Sequence, residues 1–217
     1  MGSVKSLQAR RFRGTYADLM GSPSFGPAAQ FFLEELYSDT DYTDRDLQFG
    51  RIAGTLQTMF PQPVVNTAVA LAVLHAQTEG LDQDMGRAWL AHEADATSDA
   101  ARYTAAWRAV GQRHARQEQL KRVLAMGTDL ARLTRTPGLR MMLRMMRGPA
   151  NAAGMGALQK FLEAGFDTFG QLARQRGGVE QFLATIEQRE RALMDQLFDA
   201  DPVTCGTQLI NTLGQAR

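Results

Sequence analysis

Cysteine is almost absent: Cys205 is the single one in 217 residues. That excludes an intramolecular disulfide and any metal site built from several thiolates, and it fits a reducing cytoplasm. Long apolar runs are missing too. The most apolar stretch, VVNTAVALAVLHA at 64–76, is too short and too interrupted to span a bilayer. The basic start MGSVKSLQARRFRGTY has no apolar run of the secretory kind. Strand signals are sparse, with no sustained apolar–polar alternation, few β-branched runs and no Asn-Gly turn. A net charge of +1 gives the molecule as a whole no general pull on nucleic acid or anionic membrane.

Catalytic signatures are lacking as well. None of the glycine-rich phosphate loops, dinucleotide fingerprints or nucleophile elbows occurs, so no catalytic residue stands out. Histidine is limited to His75, His92 and His114. His75 has Glu79 one helical turn further on, a spacing that could supply two metal ligands. A lone histidine on an apolar helix is more often a satisfied core residue, and the repeated Glu-x-x-His pairs of di-iron bundles are missing. No metal site is assigned, and the cofactor is unknown. Haem, with His75 as an axial ligand, is one that the residues would admit.

Helical periodicity is what the chain does have. Phe25, Ala29, Phe32, Leu33 and Leu36 share one face, with Pro27 near the start, where its missing N–H costs nothing. A second helix is expected from Thr43 or Asp44, facing Leu47, Ile52 and Leu56 inward. Residues 64–76 are apolar nearly all round and read as a central helix, continued by Leu81, Met85 and Trp89. Tyr103, Trp107, Val110, Leu120, Leu124 and Ala131 then suggest one long helix, roughly 50 Å at ~1.5 Å per residue. Leu158, Phe161, Leu162, Phe166 and Phe169 mark a further helix. Val179, Phe182, Ile186, Leu193 and Leu197 mark the last, after a glycine turn at 177–178.

Between these lies RMMLRMMRGP, residues 140–149. On a helix, Leu139, Met142, Leu143 and Met146 fall on one side, and Arg140, Arg144 and Arg147 form a narrow stripe. The methionines suit an irregular core. The arginines can pair with carboxylates or receive an anionic ligand. A membrane-surface reading suffers from the short length and the lack of Trp or Phe anchors. Basic residues dominate 113–147, whereas Glu34, Glu35, Asp39, Asp41, Asp44 and Asp46 crowd one acidic segment. The economical expectation is that the two meet, Arg144 or Arg147 pairing with Asp44 or Asp46. The absence of any helix-turn-helix, zinc-finger or RNA-motif signature argues against nucleic acid.

FFLEELYSDTDYTDRDLQFGRI (31–52) and RGPANAAGMGALQKFLEAGFDTF (147–169), continued by FLATIEQRE (182–190), resemble a family of uncharacterised bacterial all-helical proteins. The resemblance spans most of 15–198, and Ser38 departs from it where glycine is expected. It implies no activity to transfer, and it makes Arg147 part of a pattern with Gly148-Pro149-Ala150.

The expected architecture is an all-α single domain at 15–201, a bundle of about seven helices with one long helix near 99–133. A basic, flexible N-terminus (1–14) would precede it and a weakly ordered tail (202–217) would follow. The first functional expectation is a non-enzymatic cytoplasmic protein acting through protein–protein contacts or self-association, as a homodimer or with a protein partner. The alternative is a helical binding protein for a small anionic or apolar ligand, haem included, held by Arg140, Arg144, Arg147 and His75. A metal- or cofactor-dependent enzyme ranks third.

Overall fold

The computed structural model describes residues 2–36, 60–93 and 97–216. Among these residues there are eleven helices and no strand: α1 (Gly2–Thr15), α2 (Ala17–Met20), α3 (Gly26–Leu36), α4 (Gln62–Ala91), α5 (Asp99–Val110), α6 (Arg113–Thr134), α7 (Leu139–Met145), α8 (Arg147–Ala152), α9 (Gly156–Leu172), α10 (Gly178–Asp199) and α11 (Pro202–Gly214). The all-α expectation holds. The helix expected from Thr43 or Asp44 lies outside the described residues.

Local chemistry sets the boundaries. Ser98 accepts a hydrogen bond from the Ala101 N–H and opens α5. Asp201 caps α11 through the N–H groups of Val203 and Thr204, with Pro202 in the first turn. Each cap removes an orphan donor from a helix start. α6 packs on α4, α9 and α10, α5 lies against α4 and α11, and α3 rests on α9. Phenylalanines join these layers: the Phe32 ring meets Phe182 edge-on at 5.2 Å, and Phe31 lies 5.4 Å from Phe161.

Four expectations need correction. The long helix at 99–133 is two helices, α5 and α6. Gly111 takes φ 65° and ψ −121°, and Gln112 has φ 57°, a pair of left-handed steps that no helix continues. The Gln112 side chain donates to Asp84 Oδ2 at 2.8 Å and fixes the bend against α4. The polar run GQRHARQ at 111–117 marked the break, since it leaves the proposed seam with no large apolar side chain to bury. The longest described helix is instead α4, with 30 residues.

α4 is also one-sided rather than central. It buries Val64, Ala68, Leu71 and Leu74 but leaves Val69 50% and Val73 44% exposed, its described neighbours being α1, α5 and α6. Gly148-Pro149 does not end a helix; both lie in the first turn of α8, where proline gives up no intrahelical bond. Finally, the segments expected to be flexible or weakly ordered are both helical. α1 buries Val4, Leu7 and Phe12, and α11 buries Cys205, Leu209 and Leu213. The two pack on each other, Gly14 lying against the Thr212 backbone.

Candidate functional site

Five helices turn polar side chains toward one interior cavity of about 90 Å³. α1 contributes Lys5, Gln8 and Arg11; α4 contributes His75, Thr78, Glu79 and Asp82; α5 contributes Tyr103 and Trp107. Arg116 and Gln119 come from α6 and Glu190 from α10, with Glu35 of α3 at the edge. Leu71, Leu74, Leu120 and Val123 complete the wall. Seven ionisable side chains from α1, α4, α6 and α10 around so small a space are unusual for a bundle core, where charge is retained only when paired.

Most of these groups are tied to a partner on another helix. Lys5 bridges to Glu79. Arg11 pairs with Glu190, and the Tyr16 hydroxyl donates to the same carboxylate oxygen at 2.8 Å. Gln119 donates to Thr78 Oγ1 at 2.8 Å. The Arg116 guanidinium lies 4.1 Å over the Trp107 ring, a cation–π contact made in a desolvated setting. Two groups stand apart. Trp107 is 7% exposed, and its indole N–H has no hydrogen-bond partner among the described residues. Asp82 is 6% exposed and accepts one long bond, from Gln8 at 3.3 Å.

Burial holds the Asp82 carboxyl above the ordinary carboxylate range, against the opposing Gln8 hydrogen bond and the charges of Arg116 and Lys5. Burial likewise keeps the Tyr103 phenol above its usual range. Between the ordinary Asp value and its raised one, the folded protein holds a proton that the unfolded chain has released. Stability therefore falls as pH rises through that window. Asp82→Asn keeps an acceptor for Gln8 and carries no charge at any pH. It is expected to flatten this slope and to exceed the parent in stability above the window. Urea denaturation at a series of pH values checks this; equal slopes in both proteins would relieve Asp82 of the effect.

The space is far below the ~300 Å³ at which pockets for drug-sized ligands begin. It suits a molecule of a few heavy atoms or several waters, and a haem has no room in it. Glu79 is engaged by Lys5, and no group of three His, Cys, Asp or Glu with metal-holding geometry occurs among the described residues.

A family model described as a domain of unknown function (DUF8198) matches residues 1–204, from α1 into α11. The chain belongs to that family. No curated protein and no solved structure matches it. The DUF8198 match includes every described wall of the cavity, α1 with them.

The sequence-derived site residues of this DUF8198 chain fall in two places. His75 lines the cavity. Arg140, Arg144 and Arg147 lie on the surface, on α7 and at the start of α8. Arg140 pairs with Asp167 at 2.8 Å. Arg147 grips both carboxylate oxygens of Glu163, a fork that holds the Glu163 carboxyl below its ordinary range. Both partners belong to α9. Asp44 and Asp46, the expected partners, lie outside the described residues. Inside α7, Leu139 and Leu143 are buried, whereas Met141 and Met145 face outward.

The cavity residues that sequence reasoning passed over had a signal. Asp82, Arg116 and Glu190 each occupy a position on the buried face of its helix: Asp82 beside Leu81 and Met85, Arg116 one turn before Leu120, Glu190 between Ile186 and Met194. A charge on an apolar seam needs a partner elsewhere, and three such charges predict that they meet around one interior site.

Proposed function

We propose that this protein binds one small polar molecule in the cavity between α1, α4, α5, α6 and α10. The observation that carries the reading is the buried, unsatisfied Trp107 N–H beside a wall of ionisable groups. A buried donor without an acceptor is costly, and a ligand oxygen or nitrogen placed there would remove the penalty. Asp82, whose carboxyl burial shifts toward its protonated form, would add a second polar contact. The paired groups around them, Lys5 with Glu79 and Arg11 with Glu190, would keep the walls preorganised rather than collapse onto the ligand. In this reading the setting is a bacterial cytoplasm, in keeping with the single buried thiol.

A second reading is self-association, favoured by the open apolar row Val69 and Val73 on α4. Native mass spectrometry of the protein as purified tests both. Extra mass lost on denaturation, and lost again in Trp107→Phe, is the expected result for the cavity. A bare 23.9 kDa chain, in parent and variant alike, would overturn the ligand reading. A bare multiple of that mass would favour the second.

A further inference from the structure

Charge is distributed unevenly along the chain. Residues 132–176 hold seven arginines and Lys160 against Glu163 and Asp167, a net of +6 in a protein whose total is +1. All eight cationic side chains are exposed. Both carboxylates are already spent, Glu163 on Arg147 and Asp167 on Arg140. Arg135, Arg144, Lys160, Arg174 and Arg176 have no carboxylate partner among the described residues.

Four of the arginines lie side by side. Arg135, Arg140 and Arg174 border one open groove of about 560 Å³, with Phe166, Gly170 and Asp167, the partner of Arg140, in its wall. Arg140 and Arg144 border the neighbouring depression. Beside Arg144, one helical turn apart, Met141 and Met145 stand 63% and 72% exposed. Two long apolar side chains thus stand exposed beside an arginine that has no carboxylate partner among the described residues.

We propose that this corner, formed by α7 and the C-terminal ends of α6 and α9, docks on an anionic lipid bilayer. Met141 and Met145 enter the headgroup layer, and the flanking arginines meet lipid phosphates. Each cation held near an anionic surface multiplies partitioning about fivefold, so Arg135, Arg144 and Arg174, without carboxylate partners among the described residues, give a strong pull despite the near-neutral whole. Guanidinium and phosphate match in bidentate geometry, and the groove admits a headgroup between Arg135, Arg140 and Arg174. Apolar insertion is the element that a phosphate backbone would not reward, and it separates a bilayer from a nucleic acid. The site is independent of the cavity.

The test is co-sedimentation of the full chain with phosphatidylcholine vesicles, with and without about 30 mol % phosphatidylglycerol. Anionic vesicles are expected to bind at least about tenfold more tightly than neutral ones, and the difference should shrink at high salt. Arg135→Glu/Arg144→Glu/Arg174→Glu should remove that preference. Met141→Asp/Met145→Asp should weaken vesicle binding about tenfold more than it weakens binding of a short DNA duplex. All five positions are exposed, and circular dichroism checks that the variants fold. Equal pelleting with both vesicles, or no pelleting with either, overturns the proposal. So does a methionine variant that loses vesicle and DNA binding equally, which would leave only a general polyanion patch.

Discussion

Arg11→Met is expected to cost the fold about 3–5 kcal/mol in chemical denaturation. Arg11 and Glu190 are 6% and 7% exposed, and the guanidinium donates to the Glu190 carboxylate. Methionine replaces the aliphatic stem of arginine and fills much of its volume, but it carries no charge. Glu190 would keep the Tyr16 hydroxyl at 2.8 Å and lose its cation. A single neutral donor does not offset the desolvation of a carboxylate. The double variant Arg11→Met/Glu190→Leu should recover much of the loss, because a well-packed apolar pair can replace a buried ion pair at little net cost. Arg13, exposed on the same helix, provides the comparison. If Arg13→Met lowered the midpoint as far as Arg11→Met, the buried pair would not be the cause.

Gly14→Ala is the second large effect. A β-carbon at Gly14 would stand 1.8 Å from the Thr212 carbonyl oxygen of α11. The obstacle is backbone, so no rotamer change relieves it, and the two helices must move apart. Overpacking of this kind costs about 3 kcal/mol or more. The damage should be local to the α1–α11 contact, with hydrogen exchange accelerating there before the rest of the bundle. Gly80→Ala is the opposite case. Nothing lies within 4 Å of the added carbon in the exposed middle of α4, so it should stabilise by about 0.5–1 kcal/mol. A thermal melt that places both variants on the same side of the parent would contradict the close approach.

Which parts of this architecture were legible from residues alone follows from what periodicity reports. Leu158, Phe161, Leu162, Phe166 and Phe169 are all buried in α9, because a one-sided apolar stripe leaves a helix only one way to face. Val179, Phe182, Ile186 and Leu197 in α10 behave likewise. The same logic failed on 64–76, where valines and alanines on every side concealed an open face. It also failed on α1, whose arginines and Lys5 masked the buried Val4, Leu7 and Phe12.

The cavity was hidden for a different reason. His75 was visible as a polar residue on an apolar helix. Its companions Asp82, Arg116 and Glu190 acquire meaning only from neighbours on other helices, and no local pattern supplies those. Arg140 and Arg144 lie on α7 whereas Arg147 opens α8, and the carboxylates that pair with Arg147 and Arg140, Glu163 and Asp167, sit only 16 and 27 residues away. Sequence reasoning looked to the denser acidic segment, whose Asp44 and Asp46 lie outside the described residues, since charge density is visible along a chain and proximity is not.

The ion pair between Arg11 and Glu190 closes a loop of 179 residues, and that sets an order in time. On a ribosome adding roughly 5–20 residues per second, Glu190 follows Arg11 by roughly 9–36 s. Throughout that interval α1 is synthesised but has neither α10 nor α11 to rest on. A 14-residue helix is marginal in water without tertiary contacts, so until α11 is made α1 depends on its smaller contacts with α2, α3 and α4. Because α1 and α10 bear facing parts of the cavity wall, that interior is completed only once α10 has been made.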